Sequence, residues 1–439
     1  MSGASSIEGA VPRALVFYCE AGSLADPPEP PALPGVAFLR VPCVCRISEG
    51  EILRGLRQGA RAVLLLGCHE GACKFHGGDA RGEEAVGLVR RLLGVLGLPA
   101  EAVALLRLGP SAGALPEVRR YLEEELPKGH AGLRPLDWAG RAMKPGAAFP
   151  HHGAVQEACL IASLTSDQAG QAGPVALDPQ EDGEDLLYAC DLPAAEVLLG
   201  EPFGLRGASV RQAAEALALE AGLRPLSVSA LPGCGHDFRF LGDEGALGSL
   251  ARSTARALQR TGAARVLPLC PECGKTLRES YARAGAGLGL PCVDLLDLLH
   301  ERRDRLRFAK GLMGPRVATY LDDDYGDQER QERCGALLGL AGYEVVARLP
   351  EPGGTPALQG SAGVQGFVSC DAASREAQER LIQRAERAGA DWLLCASPFS
   401  AVHLGCALRR GAWRRHNLGV QTVLEALAHR LVSSDETAA

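Results

Sequence analysis

Aromatic side chains are scarce, 5% of 439 residues, too few for a base-stacking surface. Positive charge is not in excess either. Lys and Arg number 46 against 53 Asp and Glu, a net charge of −7, and no long basic run occurs. That balance argues against nucleic acid as the main partner. Long hydrophobic runs are missing: AVLLLG at 62–67 is among the longest, far short of the roughly 20 residues a membrane-spanning helix needs. Direct membrane insertion is therefore not expected. No basic segment followed by an apolar core opens the chain, so a cytoplasmic setting is expected rather than export. No Walker loop, HExxH or GxSxG occurs, and no GxGxxG heads a strand–helix unit. A nucleotide, flavin or hydrolase site is not indicated. No acid or base stands out for catalysis, and Asp322–Asp324 reads as a solvated turn.

Cysteine is what the chain has in abundance: 15 residues, in an otherwise ordinary globular balance of 46% hydrophobic and 23% charged. Without an export signal, these read as metal ligands or redox groups rather than structural disulfides. An odd number also means that they cannot all pair.

The pattern of short apolar runs and amphipathic stretches predicts an α/β protein with parallel, doubly wound sheets. In residues 1–126, ALVFYC (14–19), VAFLRV (36–41), AVLLLG (62–67) and AVALLRL (102–108) read as strands, with helices over 48–58 and 81–96. Residues 127–185 are rich in Gly, Pro and polar residues and read as a linker holding one short helix at 154–163. From LLYAC (186–190) a second α/β region runs on, with strands expected at 226–231, 264–269, 317–321, 343–349 and 364–369. Helices are expected at 209–221, 245–261, 327–341, 375–388 and 420–431, and residues 433–439 as a tail. Three segments share one design: GARAVLLLGC (59–68), GAARVLPLC (262–270) and GADWLLC (389–395) each run from Gly-Ala through a strand to a cysteine. Glycine suits the left-handed turn that closes a helix, and the carboxyl end of a parallel strand is where such sheets place ligands.

Two sets of thiols follow. Cys19, Cys43, Cys68 and Cys73 fall at or just beyond strand ends in the first region. Four converging thiolates suit tetrahedral zinc or the irons of a 2Fe–2S cluster, and spacing does not choose between them. Cys45, His69 and His76 read as neighbours rather than ligands. In the second region, Cys190 ends a strand, Cys234 follows in LPGCG, and Cys270 and Cys273 form CPEC at a helix start. These four suffice for a 4Fe–4S cluster, for zinc, or in the CPEC pair for a redox dithiol. Cys159, Cys292, Cys334 and Cys406 read as packing thiols, and His151–His152 as a polar loop pair.

The stretch RVPCVCRISEGEILRGLRQGARAVLLLGCHEGACKFHGG resembles the delta subunit of methyl-viologen-reducing hydrogenase, over about residues 11–126. Shared elements are a Pro-Cys, a helix, a Gly-Ala strand, then Gly-Cys-His-x-x-x-Cys and glycines. The resemblance implies a 2Fe–2S cluster on Cys19, Cys43, Cys68 and Cys73, with Cys45 standing where the family usually has a small residue. Residues 186–315 resemble one copy of the cysteine-rich CCG domain of the heterodisulfide reductase B subunit, with Gly233-Cys234-Gly235 in place of Cys-Cys-Gly. Residues 316–432 resemble a second, eroded copy, in which Cys370 takes the Cys-Cys place and Cys395 the CxxC place. The resemblance implies a 4Fe–4S cluster on Cys190, Cys234, Cys270 and Cys273. It further implies an electron-transfer subunit working with a flavoprotein like the heterodisulfide reductase A subunit and with other redox subunits, such as a hydrogenase or formate dehydrogenase. A thiol–disulfide reductase and a zinc-stabilised scaffold are the alternatives.

Overall fold

The computed structural model describes residues 13–20, 33–68, 71–75, 77–107, 114–126, 132–133, 183–228, 231–236, 238, 244–309, 314–321, 328–349, 372–410 and 418–432, with scattered positions of 154–165. The strand expected at 364–369, Cys370, Cys159, His69, His76, His151–His152, Asp322–Asp324 and the tail lie outside the described residues. The chain is α/β with parallel sheets throughout and divides into two compact units. The first unit takes residues 1–138 and 153–165, and the second takes 139–152 and 166–439.

In the first unit, strands β1 (Ala14–Cys19), β2 (Val36–Val41), β3 (Ala62–Gly67) and β4 (Val103–Arg107) form one parallel sheet in the order β2-β1-β3-β4. The central strands β1 and β3 carry fully buried Ala14, Val16 and Val63–Leu65, as strands covered on both faces must. The helix Glu49–Arg57 between β2 and β3 begins with a capping box. The Ser48 hydroxyl accepts the Glu51 N–H while the Glu51 carboxylate accepts the Ser48 N–H. The helix Gly78–Val95 then returns the chain to β4. Within the stretch read as a linker, the helical residues Glu157, Ala158, Leu160 and Ile161 are buried. The Glu157 carboxylate accepts from the Arg57 guanidinium at 2.5 Å and from Arg54 at 3.1 Å.

The second unit holds two sheets. Strands β5 (Asp185–Tyr188), β6 (Pro225–Leu226) and β7 (Arg265–Pro268) run in the order β6-β5-β7. Strands β8 (Arg316–Tyr320), β9 (Glu344–Leu349), β10 (Trp392–Cys395) and β11 (Gly419–Thr422) run in the order β11-β10-β8-β9. Helices Gly207–Glu220 and Glu244–Arg260 follow β5 and β6, and helices Gln328–Leu340 and Ala372–Arg387 follow β8 and β9. Two expectations need correction. The strand expected at 226–231 stops at Leu226, where the chain leaves the sheet for the LPGCG loop. The helix expected over 420–431 is a strand and then a helix: Gly419–Thr422 pairs with β10, and Thr422 caps the helix Val423–Ala428. The apolar pattern there serves both elements, and period alone did not separate them.

Candidate metal centres

In the first unit, β1 delivers Cys19, whose thiol donates to the Pro42 carbonyl at 3.4 Å. Cys43 precedes a single 3-10 turn and is buried, with its sulfur 3.0 Å from that of Cys45. Burial and the Cys45 thiol push Cys43 up to about 12. Cys68 directly follows β3, and burial followed by the nearby Cys19 and Cys73 raises its thiol above the usual range. Cys73 reaches the group through the loop before the helix Gly78–Val95. The Asp79 carboxylate fixes that loop by accepting the Gly71 N–H at 2.8 Å, a bond that holds it below the usual carboxylate range. Gly78 makes room. A Cβ there would stand 2.7 Å from Cys73 Sγ and 3.1 Å from Cys45 Sγ. Cys45 therefore sits among the four expected thiols, in contact with Cys43 and beside Cys73. The 3-10 turn at Val44–Arg46 brings it there, a local geometry that the spacing of Cys43 and Cys45 does not announce. Cys45, Cys68 and Cys73 are half-exposed, so one side of this group reaches the surface.

In the second unit, the expected thiols come together in the protein interior. The Sγ atoms of Cys190, Cys234 and Cys273 all lie within 4.8 Å of one another. Cys270 joins them, its sulfur 2.7 Å from that of Cys273. All four residues are 7% exposed or less. Each is positioned by its backbone. Among the described residues other than glycine, Cys190 alone has a positive φ, 55°. Left-handed backbone costs a non-glycine residue about 1–2 kcal/mol, and it turns the chain so that Cys190 Sγ accepts the Cys234 N–H at 3.1 Å. Cys270 precedes the helix starting at Pro271, and its sulfur accepts the Cys273 N–H at 3.4 Å. Three side chains clamp the loop bearing Cys234. Tyr188 donates to the Pro232 carbonyl at 2.6 Å, Thr254 to Gly233 at 3.0 Å, and Tyr281 to Cys234 at 3.1 Å.

The charge state follows from this burial. Cys190 is pushed up to about 12, and Cys270 and Cys273 well above their usual range, by desolvation. Cys234 goes the other way, to about 6, because the Cys190 and Cys273 thiols donate to its sulfur. A cation placed among them would draw off the remaining protons. The other half of this unit offers no such group among the described residues. Cys395 is buried inside β10, opposite Tyr320, and not at a helix start like Cys270.

Comparison with known proteins bears on the first unit. Residues 20–126 match the family of the methyl-viologen-reducing hydrogenase delta subunit. Over 80 residues the chain is 35% identical to an F420-non-reducing hydrogenase iron–sulfur subunit of Archaeoglobus profundus, covering 18% of this chain and 58% of that protein. The vhc iron–sulfur subunit of F420-non-reducing hydrogenase from Methanococcus voltae is 33% identical over 70 residues, 16% of this chain and 49% of that one. The vhu counterpart from Methanococcus maripaludis is 29% identical over 94 residues, 21% of this chain and 70% of that one. The chain thus spans about half the length of the first two relatives, and most of it lies outside each match. A hypothetical protein from Helicobacter pylori aligns over 64% of this chain and 58% of its own at 9% identity, with a TM-score of 0.40.

Proposed function

We propose that the chain is an iron–sulfur electron-transfer subunit of a multisubunit redox complex. The observation carrying this reading is the buried gathering of Cys190, Cys234 and Cys273, with Cys270 touching the last. The donor set fits an iron–sulfur cluster: four soft sulfurs, the Asp191 carboxyl hydrogen-bonded to Cys190 beside them, and backbone N–H groups already aimed at Cys190 and Cys270. We assign a 4Fe–4S cluster to these four residues and a 2Fe–2S cluster to Cys19, Cys43, Cys68 and Cys73. The second assignment is supported by the family match and by the hydrogenase relatives, which are named as iron–sulfur proteins. Such clusters, when bound, take up and give back single electrons.

The residues of the chain do the rest. Tyr188, Thr254 and Tyr281 hold the Cys234 loop by its carbonyls, so the sulfurs are set before any metal arrives. Burial keeps water from the inner centre, while the half-exposed thiols of the outer one leave it within reach of a partner. No helix among the described residues is long and apolar enough to cross a membrane. On this reading the partners are a flavoprotein like the heterodisulfide reductase A subunit and a hydrogenase or formate dehydrogenase module, in the cytoplasm. The 2.7 Å sulfur contact between Cys270 and Cys273 also favours a dithiol–disulfide couple. Their exposures of 5% and 1% keep a substrate disulfide away from both, which makes that the second reading.

The test is anaerobic purification of the full chain with iron, sulfide and zinc analysis. About six irons per chain (two plus four, from the assigned cluster types), with matching sulfide and brown colour, is the expected result. Colourless protein with stoichiometric zinc would instead establish a scaffold.

A further inference from the structure

The strands of the two halves of the second unit correspond in order and register. The first runs β6-β5-β7, with Cys292 bridging onto β7 where a fourth strand would lie; the second runs β9-β8-β10-β11. The Leu269 N–H donates to the Tyr188 carbonyl at 3.1 Å, and the Ala396 N–H donates to the Tyr320 carbonyl at 3.1 Å. The glycines leading into β7 and β10 are both left-handed, Gly262 at φ 71° and Gly389 at φ 72°. Eight residues after Gly262 comes Cys270, and eight after Gly389 comes Ser397. The helices that follow begin at Pro271 and Pro398. In the first half the Cys273 N–H donates to Cys270 Sγ at 3.4 Å; in the second the Ser400 N–H donates to Ser397 Oγ at 3.4 Å. Both pairs are buried, Cys270 and Cys273 at 5% and 1% exposure, Ser397 and Ser400 at 1% and 0%. Register, turn, helix start and hydrogen bond coincide. This replaces the sequence-based placing of Cys395 at the CxxC position: Cys395 stands opposite Tyr320 as Pro268 stands opposite Tyr188.

We propose that residues 316–432 carry a disarmed duplicate of the first half's thiol site, with Ser397 and Ser400 in the places of Cys270 and Cys273. The frame persists and takes a thiophilic metal ion once the thiols are restored. The proposal rests on reading the first-half thiols as a metal site. Serine hydroxyls keep the hydrogen bond that starts the helix, so the fold survives the exchange, but they neither ionise nor offer a soft donor. One of two equivalent positions is therefore chemically silent.

Three variants of the full chain, purified anaerobically with native metals in place, test this by cobalt(II) titration and iron analysis. Ser397→Cys/Ser400→Cys should bind one more cobalt per chain than the unmodified protein, with a sulfur-to-cobalt charge-transfer band, and keep its iron. Pro398→Cys, which gives Cys395 a partner three residues on, should bind none, because that spacing is off register. No gain in a soluble double-cysteine variant, or a gain in Pro398→Cys, overturns the proposal. If the double-cysteine variant does not fold, Cys270→Ser/Cys273→Ser writes the second half into the first. A soluble chain with an unchanged far-ultraviolet dichroism spectrum and one metal centre fewer supports equivalence; an insoluble one overturns it. Iron in the unmodified chain separately tests the reading of the first-half site.

Discussion

At Gly78 a single absent side chain makes room for two thiols. An added Cβ would meet Cys73 Sγ at 2.7 Å and Cys45 Sγ at 3.1 Å, closer than such atoms pack. Alanine is otherwise favoured over glycine in a helix by about 1 kcal/mol. Gly78→Ala is accordingly expected to leave the melting temperature within a few degrees while the first unit loses its share of iron, about two atoms per chain. Iron analysis beside a thermal melt checks both halves of that statement. The thiols themselves were legible from the sequence, because a cysteine at a strand end is a visible signal. The left-handed backbone at Cys190 was not. Nothing in LLYACD marks it; it arises from where Cys234 has to be met.

Between elements, the clearest case is Glu157. It is 3% exposed and accepts from Arg57, also 3% exposed. Removing one partner of a buried pair leaves an uncompensated charge and costs about 3–5 kcal/mol. Glu157→Ala should lower the stability of the first unit by that order in denaturant unfolding, with Glu157→Gln falling in between. A change below about 1 kcal/mol, the size of an exposed ion pair, would mean that the 154–165 segment does not seat on the helix Glu49–Arg57. The composition of 127–185 hid this contact, since a buried acid in a Gly- and Pro-rich stretch looks like any solvated one. The duplicated half shows the converse. Aligning cysteine with cysteine placed Cys395 wrongly, whereas counting from the glycine that ends the preceding helix puts Ser397 opposite Cys270. The backbone register was in the sequence all along, carried by Gly262 and Gly389 rather than by the reactive residues.

For the molecule as a whole, the alternation of strands and helices announced parallel sheets, while the strand order, set by which helix crosses which face, had no local signal in the sequence. Stability against acid depends on a residue outside both centres. His403 is 5% exposed, and burial holds its imidazole down to about 4. Unfolded, it would titrate near 6.5, so below that pH the unfolded chain binds a proton that the folded chain refuses. Its contribution is complete above about pH 6.5 and is lost as pH falls toward 4, a span worth about 3 kcal/mol at about 1.36 kcal/mol per pKa unit. His403→Leu should flatten the unfolding midpoint across that window, and an unchanged slope would remove His403 as its source.

The three hydrogen bonds that clamp the Cys234 loop also fix a sequence of events. With the inner sulfurs sealed from solvent and their loop tied at Pro232, Gly233 and Cys234, a metal ion enters only when that loop opens locally. Opening comes first, capture of the metal next and closure last. A chain that closes empty is then expected to fill at the rate at which the loop opens, far more slowly than a freely exposed thiol site would.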